Sequence, residues 1–395
     1  MAWPLKDQTC IVGIGQTEFT RWGKIARSDF QLALEACVSA CADAGVSVKD
    51  VDGFVTYSTD SNHPYVMAQA LGVTQTRFVN LFPGGGESTA GIVHNAAMAI
   101  YSGTAEMVLC YRALTMGQGG RFGRPQETAG PIPEASGTAA FQAPFGVFSA
   151  PQMYALQAQR HMHDFGTTSR QFGAISVAAY KHAQRNPKAV MYGRPMTIED
   201  HQASRMIADP YHLFDCCQES DGACAVLVTS AERARSLRQR PVYIMGAAQG
   251  AGSSSVDQMY TYQRHMGRFN TAGFTETARD LYSRAGVSPK DIGVAQFYET
   301  FTGQVLMAIE DFGFCKRGEG GAWVENGRIE WPGGELPINT SGGNLAEAYI
   351  HGLEIMLEGV RQMRGDSTCQ VQDAEIGLVV AGPSALPSSA MVLRR

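Results

Sequence analysis

Two glycine-rich turns carry the first chemically useful signal in this 395-residue chain. Gly84-Gly85-Gly86 follows Asn80 and leads into a helical stretch ending near Ile100, while Gly342-Gly343 follows Asn339 and leads into another ending near Met363. A turn without side chains lets backbone N–H groups approach a ligand closely, and a helix start aims them at developing negative charge. Other groups offer less. Ser88 stands beside Glu87 without a paired base to make it a nucleophile. His161, His163 and Asp164 lie close together in sequence, but no third ligand is paired with them, so no metal site is expected. The nine cysteines are odd in number and contain no CxxC pair, which argues against a disulfide framework and a structural zinc alike.

Strands and helices must position those turns. Cys10–Gly15 (CIVGIG) is a short β-branched run ending in glycine, and Phe30–Ala44 carries Leu32, Leu34, Ala36, Cys37 and Cys41 at helical spacing. Met107–Tyr111, Cys224–Val228, Val242–Ala247, Val294–Phe297 and Ile376–Ala381 read as further strands, each flanked by helical segments. Strands alternating with helices give an α/β fold class with buried central strands. The string AGVSVKDVDGF (Ala44–Phe54) returns in the second half of the chain as AGVSPKDIGV (Ala285–Val294), which predicts two related halves rather than a short-period repeat. Between them, Gly117–Ala150 is poor in charge and rich in Gly, Pro and Ala, and Pro151–Ala189 is patterned as helix. Residues 117–210 are therefore read as an inserted subdomain lying over a site.

Composition excludes several function classes. With 44% hydrophobic and 17% charged residues the chain can bury a large core or two packed domains and is not intrinsically disordered. Thirty-two Lys and Arg against 37 Asp and Glu give a formal charge of −5, and no basic run is interleaved with aromatics, so no nucleic-acid partner is expected. The longest apolar runs, Ala96–Tyr101 and Ala223–Val228, fall far short of the ~20 residues a membrane span needs. Met1–Cys10 lacks the apolar stretch of a signal peptide, which leaves the cytoplasm as the expected compartment.

Six strings, in order along nearly the whole chain, carry a resemblance: IVGIGQTEF (Ile11–Phe19), the segment His161–Ala189, SDGACAVLVTSAERA (Ser220–Ala234), AGVSPKDI (Ala285–Ile292), YETF (Tyr298–Phe301) and NTSGGNLAEAYIHG (Asn339–Gly352). Together they resemble the thiolase superfamily, in the branch of the sterol-carrier-type thiolases and steroid side-chain aldolases. The resemblance implies a thiolase fold: two βαβαβ-type halves, residues 1–240 with the loop subdomain 117–210 and residues 241–395, in a five-layered α/β/α/β/α sandwich, as a homodimer. A thiolase carries its nucleophilic cysteine at the position matched here by about Gly86, its histidine at the position of Tyr349, its oxyanion asparagine at that of Tyr298, and a second cysteine near Ala381-Gly382-Pro383. None of those four groups is present. Two tyrosines stand in two of the vacant positions.

That pattern implies a retro-aldol lyase cleaving a β-hydroxyacyl-CoA, a 17-hydroxy steroid side-chain thioester, into a ring ketone and propionyl-CoA. No acyl-enzyme is needed, no cofactor is bound covalently, and CoA enters as part of the substrate. Tyr298 is expected to take the hydroxyl proton and Tyr349 to return one to the α-carbon, with Gly85, Gly86, Gly342 and Gly343 donating to the enolate oxygen. An ordinary phenol, with a pKa of ~10, leaves little phenolate at neutral pH, so something must lower it or relay its proton. His351 is the neighbouring substrate-site candidate, but on a helix it would point about 200° away from Tyr349. Glu299 is expected to face solvent. The run Met259–Phe269, with Arg264 and Arg268, could wall an apolar pocket or meet CoA phosphates. The resemblance further implies a small partner subunit with an OB-fold and a zinc ribbon. The alternatives are a degradative thiolase or acyltransferase, which needs a sulfur at about Gly86, and a catalytically inactive thiolase-like lipid-binding subunit.

Overall fold

The CIVGIG run forms β1 (Thr9–Gln16), and the helical pattern after it forms α1 (Asp29–Ala44), started by a Ser28/Gln31 capping box and ended by Gly45 in the left-handed conformation. This computed structural model describes residues 3–117, 143–147, 149–250 and 269–395. Residues Met259–Arg268 of the aromatic run, and residues 118–142 of the expected insertion, lie outside the described residues.

The N-terminal half continues with β2 (Gly53–Tyr57), β3 (Phe78–Phe82), α2 (Thr89–Tyr101) and β4 (Met107–Thr115). After α3 (Ala150–Phe165) and α4 (Ser169–Ala183), β5 (Ser220–Ser230) closes that half's sheet. The C-terminal half runs β6 (Val242–Gly250), α5 (Thr275–Ala285), β7 (Val294–Phe297), α6 (Thr302–Asp311), α7 (Leu353–Arg364), β8 (Ile376–Val380) and β9 (Ser388–Arg394). Every strand expected from the sequence is present, most of them extended by a few residues.

The strands hydrogen-bond in the order β7-β8-β9-β6-β1-β5-β4-β2-β3. Read outward from the β1–β6 junction, each half repeats one pattern: β1 is antiparallel to β5, β5 to β4, and β4 is parallel to β2 and β2 to β3. In the other half β6 is antiparallel to β9, β9 to β8, and β8 is parallel to β7, beside which Ile338 makes a parallel bridge to Ala295 in the place of β3. The halves are stitched by the pairs Cys10–Tyr243 and Ile11–Val242. The echoed strings occupy matching places: Gly45 and Gly286 end α1 and α5 in the left-handed conformation, and a short 3-10 turn after each leads into β2 and β7.

The layers follow from which helices are apolar on more than one face. α2 and α7 are buried along nearly their whole length and each contacts strands of both halves, so they form the central layer. α1 covers β1, β5 and β4 from outside, and α5 covers β6 and β9. This is the expected five-layered α/β/α/β/α sandwich. α4 packs on α6 and on the short helical turn Gly343–Ala346, which places it against the region where the two central helices begin. Among the described residues no helix is long and apolar enough to cross a membrane.

Candidate active site

β7 delivers Tyr298. The strand ends at Phe297, and the Tyr298 N–H still donates to the Val380 carbonyl at 3.0 Å. Asn339 then fastens the NTSGG string to it: its Oδ1 accepts the Phe297 N–H at 2.7 Å and its Nδ2 donates to the Phe297 carbonyl at 2.8 Å. One side-chain amide thus imitates a strand edge and brings two distant strings together. The Tyr298 hydroxyl donates to the Tyr349 hydroxyl at 3.0 Å, with the rings edge-on and their centroids 6.0 Å apart.

The glycine-rich turn of the N-terminal half closes over this pair. A Cβ on Gly86 would lie 2.2 Å from both Cζ and Oη of Tyr298. The volume into which a side chain at Gly86 would branch is filled by the phenol, so Gly86 and Tyr298 are sterically matched. The Ala381-Gly382-Pro383 turn joins here, with the Gly382 N–H donating to the Gly86 carbonyl at 3.0 Å. Among the described residues the N–H groups of Gly85 and Gly86 have no hydrogen-bond partner. Ser88 donates its hydroxyl to the Pro83 carbonyl at 2.9 Å and has no base beside it.

Gly342 and Gly343 do not match their expected role. The Gly342 N–H donates to the Asn339 carbonyl at 2.9 Å, which leaves it nothing to offer a thioester. Gly343, at φ +55°, lies against the Glu299 carboxylate, where a Cβ would come within 2.1 Å of Oε1, and the Asn344 N–H donates to Oε2 at 2.9 Å. This turn closes on Glu299 instead of on the tyrosines. Glu299 is itself fully buried, not solvent-facing, and burial pushes its carboxyl up to about 8.

His351 also departs from expectation. Residues 347–352 are not helical; His351 sits at φ +52°, and its ring meets that of Tyr349 edge-on with centroids 5.2 Å apart. The angular argument that separated the two side chains presumed a helix that only resumes at Leu353. Arg112, in the middle of β4, reaches the His351 Nδ1 with Nε at 3.1 Å and Nη2 at 2.9 Å. Burial and that guanidinium hold the imidazole well below its ordinary value.

Neither phenol is brought down toward neutral pH. Burial pushes both Tyr298 and Tyr349 well above 10, and Cys217 and Glu354 oppose a negative charge on either; Tyr349 raises Tyr298 further, while the hydrogen bond that Tyr298 donates offsets only part of the rise at Tyr349. The relay alternative is therefore the one the geometry permits. A cavity of about 350 Å³ reaches Tyr349 and is lined also by Ala150, Pro151, Met191, Ile207, Cys217 and Phe301. His161, by contrast, is a buried structural histidine, with Thr167 at Nδ1 and Glu310 at Nε2.

Sequence reasoning missed Arg112, Asp60 and Tyr57. The signal was an arginine inside the otherwise apolar run MVLCYRAL. A charge in a strand that reads as buried requires a partner.

Comparison with known proteins agrees with this fold. Residues 253–395 match the family described as Thiolase C-terminal domain-like. The chain is 44% identical over 390 residues to the 17-hydroxy-3-oxo-4-pregnene-20-carboxyl-CoA lyase of Mycobacterium tuberculosis, covering 98% of this chain and 100% of that protein. It is 43% identical over 398 residues to the steroid side-chain-cleaving aldolase of Thermomonospora curvata, covering 98% of each. The chain belongs to the thiolase superfamily, in the branch of the steroid side-chain-cleaving aldolases. A solved structure of this branch, an Ltp2-ChsH2(DUF35) aldolase, superposes with a TM-score of 0.91 at 42% identity over 99% of this chain and 98% of that one. In this thiolase-superfamily chain the scaffold persists, and the Tyr298 phenol fills the space beside Gly86.

Proposed function

We propose that the chain is a lyase that cleaves a β-hydroxyacyl-CoA by a retro-aldol step, with a 17-hydroxy steroid side-chain thioester as substrate and a ring ketone plus propionyl-CoA as products. The hydrogen-bonded Tyr298–Tyr349 pair, standing in the space of a nucleophile, carries this reading. The substrate hydroxyl gives its proton to Tyr298, Tyr298 passes its own to Tyr349, and Tyr349 gives its own to the α-carbon. The carbon–carbon bond breaks, the hydroxyl oxygen becomes the ketone, and the bonding electrons pass through the thioester enolate to the new C–H bond. Because each phenol receives one proton as it gives one, neither need hold a charge, and high phenol pKa values suit the step. On this reading the N–H groups of Gly85 and Gly86 and the ring of His351 donate to the enolate oxygen.

The same proposal includes a homodimer, a boundary between the halves near residue 240, a cytoplasmic location, CoA bound only as part of the substrate, and a small OB-fold/zinc-ribbon partner subunit. The two-part name of the solved relative supports the last of these. The test is to mix the protein, with and without that partner, with a 17-hydroxy steroid side-chain CoA thioester and to measure ring ketone and acyl-CoA. Thiolysis of a β-ketoacyl-CoA by free CoA without cleavage of the hydroxy thioester refutes the reading. Tyr298→Phe and Tyr349→Phe should each lower kcat by ~10² or more. Because the pair acts as one relay, the double variant should be little worse than either single one.

A further inference from the structure

Arg112 is 2% exposed, and its guanidinium is fixed from three sides. Nη1 pairs with Asp60 Oδ2 at 2.9 Å and donates to the Thr59 carbonyl at 3.2 Å, Nε and Nη2 point at His351 Nδ1, and the group lies 5.4 Å from the centre of the Tyr57 ring. The Asp60 side chain is wholly buried; its Oδ1 accepts from the Asn62 N–H at 2.7 Å and its Oδ2 from the Ala113 N–H at 3.2 Å. Neither partner can swing away without leaving the other's charge buried and alone.

A guanidinium has five N–H donors and no acceptor. His351 Nδ1 must therefore present its lone pair to Arg112, and the proton of the neutral ring must sit on Nε2. The backbone is held as firmly as the ring: the His351 carbonyl accepts from Tyr57 Oη at 3.2 Å and Thr89 Oγ1 at 2.8 Å, which retains a left-handed conformation that side chains rarely adopt. The ring edge bearing Cε1 and Nε2 faces the glycine-rich turn, where a Cβ on Gly85 would lie 3.4 Å and 3.7 Å from those atoms.

We infer that Arg112 and Asp60 are positioning residues that lock His351 as a neutral imidazole protonated on Nε2, a fixed hydrogen-bond donor at the Gly85 turn and not an acid or base. What that donor meets, the thioester oxygen, rests on the proposed function; the lock does not. The titratable groups around the ring are Arg112 with Asp60 behind it, Tyr57 from β2, Glu87 beside Gly85, and Tyr349 and Glu354 from its own segment, with Tyr298 beyond Tyr349.

The lock is tested first in the unmodified protein. Long-range 15N–1H spectra of histidine-labelled protein, assigned by comparison with His351→Gln, should show Nδ1 unprotonated and Nε2 protonated across about pH 5 to 8. A proton on Nδ1, or a ring that titrates in that range, overturns the inference. Arg112→Gln combined with Asp60→Asn removes both buried charges together and frees the ring to exchange tautomers. Its kcat relative to wild type should fall on the order of tenfold at about pH 8. The ratio should recover in part below about pH 6.5, where the imidazolium carries an Nε2 proton whatever its orientation. A ratio that is low but flat with pH means that the pair is merely structural and overturns the inference. Absence of cleavage by the wild type would instead sink the functional proposal, and the spectra would still decide the tautomer.

Discussion

Residues 83–88 join β3 to α2 in the N-terminal half, and residues 339–352 join the Ile338 bridge to α7 in the C-terminal half. The two connections hold equivalent places in a repeated topology and open on the same pair of tyrosines. The shorter one passes directly from sheet to helix and contributes main chain: Gly85 and Gly86, with Gly86 pressed on Tyr298. The longer one inserts an extra helical turn, Gly343–Ala346, and then projects Tyr349 and His351. Of its own glycines, Gly343 turns inward to Glu299, and Gly352 at the far end packs on the Tyr298 ring. Glycine pairs that look alike in sequence thus do different work, because chain length between sheet and helix decides whether a turn offers the site its backbone or its side chains.

Substitution at Gly86 should separate the two most sharply. Alanine there needs the 2.2 Å that the phenol occupies, so Tyr298 must move and the turn's donors with it. A misplacement of ~1 Å alone can cost about 10²-fold, and loss of oxyanion donors adds to it, so Gly86→Ala is expected to lower kcat by about 10³ or more. Gly86→Cys should gain no thiolase activity while Tyr298 remains, since the sulfur has no room. Near-normal cleavage by Gly86→Ala in the steroid thioester assay would break the comparison at its stronger end.

The architecture was legible because it is written in local signals: β-branched runs, a helical stripe, and AGVSxKD strings marking the same junction twice. The lack of a sulfur at the Gly86 turn, where the resemblance expects one, was legible too. Its cause was not, since nothing near Gly86 in sequence announces that a phenol some 200 residues away, Tyr298, fills the gap. The paired asparagines misled in the same way. Asn339 clamps Phe297 across the site, whereas Asn80 donates to Asn95 on α2. The Arg112–His351 contact spans 239 residues and no motif encodes it. Helical spacing was the wrong ruler for Tyr349 and His351, because left-handed residues at His351 and Gly352 break the helix between them and α7.

Gly343→Ala is the counterpart to Gly86→Ala and should behave differently. Its left-handed backbone and its contact with Glu299 make a side chain costly to the fold, by about 1–3 kcal/mol, while the nearest atoms a Cβ there would meet are those of Glu299 and not of the tyrosine pair. Denaturant titration should register that loss with kcat of the folded enzyme falling far less than in Gly86→Ala. A fall in kcat as large as that of Gly86→Ala, without a stability change, would mean that the C-terminal turn also serves substrate.

The smallest effect is a slope with pH, and it reads the inward face of the same turn. Folded Glu299 keeps its proton up to about pH 8, against 4.5 for an ordinary carboxyl. Between those values the unfolded chain loses the proton first, so ν_U is below ν_N and stability falls as pH rises, levelling off above about 8. Below 4.5 both states are protonated and the group has no effect on the slope. Glu299→Gln, which keeps a hydrogen-bonding side chain without an ionisable proton, should flatten part of that decline. Glu347, raised to about 7, and Glu354 and Asp311, also raised by burial, act in the same direction. Unfolding free energies measured from pH 5 to pH 9 should therefore differ between the variant and wild type in slope as well as in height. Parallel curves would mean that Glu299 is ionised in the folded protein and that the Gly342–Gly343 turn closes on a carboxylate, not on an acid.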